Sequence, residues 1–175
     1  MRHLTFSFFL LTILFAACNT PREELPEEVI GMAPIYTLDD WQAIKMLPPQ
    51  SITALGKLYY KSPYLYATDK NRGIHIFDNS NPESPEKVAF IQIAGNSDIS
   101  IRGNTLYANN VGDLVAIDIS QLDSIKIINR IEDAFKFTNA DFPDGYIGYF
   151  ECVNPELGEV IGWQETTITK PQCWR

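Results

Sequence analysis

Few side chains in this 175-residue chain could do chemistry near neutral pH. His75 could serve as a general base or a metal ligand, yet no Ser/Asp partner is identifiable around it by spacing. Packing within the fold is therefore the expected role of His75. Asp78 and Asp118 stand just before Ser80 and Ser120. A carboxylate so placed accepts backbone N–H groups of the following turn, and that structural task is expected of both; an acid–base pair is the sharper alternative. Asn139-Ala140-Asp141-Phe142-Pro143-Asp144-Gly145 sets acids beside a glycine, but without the alternate acids of an EF-hand, so a plain turn is expected. Tyr146, Tyr149, Phe150, Trp163 and Trp174 could stack on sugars or anchor a partner, although such rings more often form core and edge cover. No phosphate loop, nucleophile elbow or CxxC pair is found, so no catalytic residue, metal or cofactor is assigned.

The N-terminus directs the chain elsewhere. Arg2 precedes an apolar run from Leu4 to Ala17, which is too short for a spanning helix of about 20 residues and has the charge pattern of a secretory signal. Leu14-Phe15-Ala16-Ala17-Cys18 resembles the lipobox of bacterial lipoproteins, with Phe15 a departure from the usual small aliphatic residue. The resemblance implies that residues 1–17 are removed and that Cys18 is acylated. Two or three acyl chains anchor a protein stably where one does not. Residues 18–35, with Pro21, Pro26 and Pro34 among glutamates, then read as a flexible tether. Arg22-Glu23-Glu24 resembles the surface-export signal of Bacteroidetes-type lipoproteins; a merely solvated linker is an equal reading.

Cys152 and Cys173 remain. In an exported chain two leftover thiols tend to pair, and closing their loop of about 20 residues would stabilise the fold by roughly 3 kcal/mol. The formal charge of -8 argues against nucleic acid as a partner, because binding phosphates needs a basic face.

The elements that must position these residues form a repeat. Leu65-Tyr66-Ala67 recurs as Leu106-Tyr107-Ala108, and Gly73 to Ser80 recurs as Asp113 to Ser120, a shift of 41 falling to 40 across a turn shortened by one residue. Such a period, built from strands, signals propeller-like or solenoid architecture. Each copy reads as four short strands: 57–61, 64–69, 74–78 and 87–93, then 98–102, 105–109, 114–118 and 125–131. The third strand of each is apolar on both faces, as face-to-face stacking of blades requires. Thr37 to Lys45 reads as a short helix, capped by Thr37 with Asp40 and ended by Pro48-Pro49.

Leu65-Tyr66-Ala67 followed by Gly-Ile-His-Ile-Phe-Asp-Asn-Ser-Asn-Pro-Glu-Ser-Pro (73–85) resembles the LVIVD repeat, in which an apolar strand ending in Asp precedes a proline-rich turn. The second copy departs from it at Leu122 and Ile125. The resemblance implies a β-propeller-like fold and, in many members, a lipoprotein of Bacteroidetes-type bacteria. Longer members continue with further blades.

The expected fold is all-β: a partial propeller-like array of two to three four-stranded blades with a short N-terminal helix. Its divisions are a signal (1–17), a tether (18–35), a helix and linker (36–50), two repeats (51–135) and a disulfide-closed β segment (136–175). Propellers use about 4 to 8 blades, so the array is unclosed. Truncation of a longer propeller is the favoured explanation; self-association through open blade faces and capping by the C-terminal segment are the others. The expected role is a non-enzymatic binding or scaffold module, held on the outer membrane by its lipid, with an envelope protein or glycan as partner. A carbohydrate-binding or hydrolytic envelope component is the alternative.

Overall fold

The computed structural model describes residues 25–37, 39–135, 141–143 and 145–175, and among these it is all-β. Cys18 and the signal segment lie outside the described residues. The first repeat forms β3 (Leu55–Lys61), β4 (Tyr64–Asp69), β5 (Gly73–Asp78) and β6 (Glu86–Gln92), and the second forms β7 (Ile99–Arg102), β8 (Thr105–Asn110), β9 (Asp113–Asp118) and β10 (Lys126–Ile131). All eight agree with the sequence expectation to within two residues. Both repeats are antiparallel meanders, and the equivalence extends to an irregularity: Val88 bulges out of β6 where Ile128 bulges out of β10. The two sheets stack face to face. Tyr66, Ile74, Ile76 and Ile91 of the first repeat meet Ile99, Leu106, Val115 and Ile117 of the second, all buried. Each such aliphatic side chain contributes roughly 1.5–3 kcal/mol on burial, so this contact is the main core. At one edge Tyr59 Oη donates to Ile101 O (2.6 Å), and Lys57 pairs with Asp98.

Two segments depart from expectation. The part of the presumed tether from Glu28 onward is β1 (Glu28–Thr37), which pairs antiparallel with β12 (Glu159–Thr169) along its whole length. The prolines and glutamates argued for a solvated tether, but β12 supplies a long partner. β11 touches β1 only at Met32, so Pro34 falls where one side of the strand has no ladder to interrupt. The helix expected over residues 37–45 is also corrected. Thr37 Oγ1 accepts the Asp39 N–H and Asp40 Oδ1 accepts the Gln42 N–H, both at 3.1 Å, and Ala43 N–H closes a turn on Asp40 O. Local bonds of this kind compete with a helix too short to be stable alone. Leu38 lies outside the described residues. The chain then enters β2 (Lys45–Leu47), a fifth strand on β6, and Ile44 and Met46 pack against the main core.

The third sheet runs β12-β1-β11-β13, with β11 (Tyr149–Phe150) and β13 (Cys173–Trp174). It thus sets the first strand among the last. Cys152 and Cys173 are bonded, with Cα atoms 5.3 Å apart, beside the β11–β13 pair. A 3-10 turn, Pro155–Leu157, is capped by Asn154, whose side chain accepts the Glu156 N–H. Among the described residues no helix is long and apolar enough to cross a membrane.

Candidate functional site

In both repeats the second and third strands are joined by a turn, and beside each turn lies a buried polar cluster. In the first repeat the register sets Asp69 opposite Gly73 and Ala67 opposite His75, so Asp69 and His75 share a face. The Asp69 carboxylate accepts from Ala54 N (2.6 Å), Thr53 N (3.0 Å), Arg72 Nη1 (2.9 Å) and His75 Nε2 (3.1 Å). Burial pushes this carboxyl's pKa up, but the Ala54 N–H, His75, the Thr53 N–H and the Arg72 guanidinium together outweigh it and hold it below the ordinary carboxylate value. Arg72 also donates to Ser51 O and Thr53 Oγ1 and lies over the Phe90 ring. Gly73 is required at its position: φ is +146° and a Cβ would fall 2.0 Å from Ile91 O.

His75 is completely buried, packs against Phe90 with ring centroids 4.7 Å apart, and its Nδ1 has no hydrogen-bond partner. A base must reach a substrate proton, and an enclosed imidazole cannot. The cluster is a clasp that fixes residues 51–54 across the first repeat.

In the second repeat the same places hold Asn110, Asp113, Val115 and Arg130. Arg130 Nη1 donates to Asp113 Oδ2 (2.6 Å) and Asn110 Oδ1 (2.9 Å), and Nη2 donates to Gln42 O (2.7 Å). Asn110 Nδ2 donates to Trp41 O and Ala94 O, both 2.9 Å. The second clasp therefore holds the connection between β1 and β2.

That connection, the first repeat's turn and β12 enclose a cleft of about 300 Å3. Asp39, Asp40, Trp41, Gln50, Asn71 and Arg72 are among its lining residues. Asn71 has φ +64° and seats its amide on Gly162, where a Cβ would lie 2.4 Å away. Beyond Asn71 and Ile161 a second cleft of about 210 Å3 opens toward Trp163 and Pro143. Carboxylates, a guanidinium, amides and an indole suit a polar ligand with hydroxyl or carbonyl groups and one flat face.

The residues singled out from sequence distribute differently. Asp78 Oδ1 accepts Ser80 N–H and Asp118 Oδ1 accepts Ser120 N–H, each at 2.8 Å, at equivalent exposed ends of separate sheets. Hydrogen bonds from the Ser80 hydroxyl and N–H lower the Asp78 pKa, and those from the Ser120 N–H and hydroxyl lower that of Asp118. Leu65 is half-buried, Leu106 and Tyr66 are buried, and Tyr107 faces outward. Tyr149 stacks edge-on with Trp174, and Phe150 with Trp163, inside the third sheet. Of the acidic loop, Asn139, Ala140 and Asp144 lie outside the described residues, and Phe142 carries the Arg175 guanidinium over its ring. Asp69, Arg72, Asp113 and Arg130 were not picked out from sequence. The available signal was a charge at the end of an otherwise apolar strand face, as in Leu65-x-Ala67-x-Asp69.

Comparison with known families agrees with the equivalence of the two sheets. The LVIVD repeat family matches residues 61–89 and 94–132. The chain carries two tandem LVIVD repeats. LVIVD repeats are propeller-like, and two of them point to a repeat-based binding or scaffold module. No curated protein and no solved structure matches the chain.

Proposed function

We propose that the chain is a non-enzymatic binding module of the bacterial envelope, tethered to the outer membrane through acylated Cys18, which takes an envelope protein or glycan in the cleft beside Trp41 and Arg72. The observation that carries the reading is the cleft itself: the first LVIVD repeat and the third sheet line it, and the second repeat's clasp holds its wall at Trp41 and Gln42. The lipid anchor is supported by the lipobox-like residues before Cys18.

Photo-cross-linking on cells from Gln50, at the cleft rim, tests the binding role. Capture of one discrete protein or glycan, lost in Trp41→Ala, is the expected result. Labelling that is indifferent to Trp41→Ala moves the site elsewhere. Glycan hydrolysis by the purified chain, abolished by Asp39→Asn or Asp40→Asn, would overturn the non-enzymatic reading. Palmitate incorporation lost in Cys18→Ala is expected of the anchor, and its retention removes it.

A further inference from the structure

The repeat equivalence sorts the positions of each LVIVD sheet into two faces. One face, Tyr66, Ile74, Ile76 and Ile91 in the first repeat, is fully buried against the second repeat. Its equivalents in the second repeat are Tyr107, Leu114, Ala116 and Ile131, and they remain apolar; among the described residues no sheet stacks on them, and Tyr107 is 37% and Ile131 51% exposed. Tyr107 and Leu114 line a groove of about 420 Å3 with Phe135 at its side. The other face, Ile99, Ile101, Leu106 and Ile117 in the second repeat, is buried against the first. Its equivalents in the first repeat are Leu58, Tyr60, Leu65 and Phe77, with Leu58 63% and Tyr60 59% exposed. Residues 51–54 cover this face over His75 but leave the β3 side open.

The described residues of the two repeats therefore present two different apolar faces, each repeating one half of a contact already made between them. We propose that copies of this chain associate head to tail, the open face of the second repeat stacking on the open β3 side of the first repeat in the next copy. The charges at the edge fit the same order. Within the chain Lys57 pairs with Asp98, its repeat equivalent. In the next contact Asp98 takes the place of Lys57 and Lys57 that of Asp98, so the signs exchange and remain opposite. A heterologous contact of this kind needs both faces, whereas a two-fold dimer would use one face twice.

The test uses two tagged full-length copies expressed together, with one tag pulled down and the other measured. Leu58→Glu and Ile131→Glu each place a carboxylate on one open face, at positions whose exposure spares the fold, and an unchanged near-UV spectrum checks this. Wild-type copies are expected to co-purify. Leu58→Glu with itself, and Ile131→Glu with itself, should each lose about tenfold or more, because an unpaired carboxylate would have to be buried. Leu58→Glu mixed with Ile131→Glu should regain co-purification, since one good face of each kind is present. Wild-type copies that do not co-purify overturn the proposal. So does retention by either variant with itself, or failure of the mixed pair; loss in Ile131→Glu alone would mean a two-fold contact. None of these outcomes depends on what occupies the cleft beside Trp41.

Discussion

The two LVIVD repeats share a backbone down to the bulge in the fourth strand, yet they lock the same corner with aspartate–arginine pairs drawn from different strands. In the first, a carboxylate ends β4 and its guanidinium comes from the turn three residues later. In the second, the carboxylate begins β9 and its guanidinium arrives from β10. The backbone position of a polar clasp is thus set by the sheet, while the residues that fill it can be exchanged across strands. The two clasps also differ in reach. Asp69 and Arg72 secure the segment that leads into their own repeat, whereas Arg130 reaches back to Gln42 and ties the N-terminal connection to the second repeat.

The comparison is broken most severely by Arg130→Met. Asp113 is buried, and removing its partner should cost about 3–5 kcal/mol, since the charge is left uncompensated. Urea denaturation measures it, and replacing Asp113 as well should recover part of the loss. Asp69→Asn comes next, at about 1.5–3 kcal/mol at neutral pH for weakened bonds to a charged group. Its pH signature distinguishes it. The folded carboxyl of Asp69 titrates below the ordinary value, so its contribution is complete above about pH 4 and is lost as pH falls through the folded pKa. The variant should lack that part of the acid limb.

Tyr66 and Tyr107 sharpen the comparison, because one repeat position is buried and its twin exposed. Burial, with a smaller contribution from Tyr64, pushes the Tyr66 hydroxyl up to about 12. A raised folded pKa means its contribution is complete below about pH 10 and is lost as pH climbs through about 12. Alkaline spectrophotometric titration should show the last tyrosine step vanish in Tyr66→Phe and persist in Tyr107→Phe. The smallest effect is expected for His75→Val, which installs the residue of the second repeat. Asp69 keeps three donors and an unpartnered buried nitrogen disappears, so stability should stay within about 1 kcal/mol of wild type.

The repeat, its eight strands and its turns were readable from the chain because alternation and turn chemistry act over a few residues, and a period near 40 doubles the signal. The disulfide was readable too, from counting thiols. By itself the sequence determined the unit that is built and how many times. Only the tertiary structure decided that Glu28–Thr37 is a strand, since its partner lies more than a hundred residues away and no local pattern names it. It alone brought Asp69 to His75 and Arg130 to Asp113, because those meetings follow from strand register. The same holds for Tyr66 and Tyr107: matching residues in matching strands, of which stacking buries one and leaves the other bare.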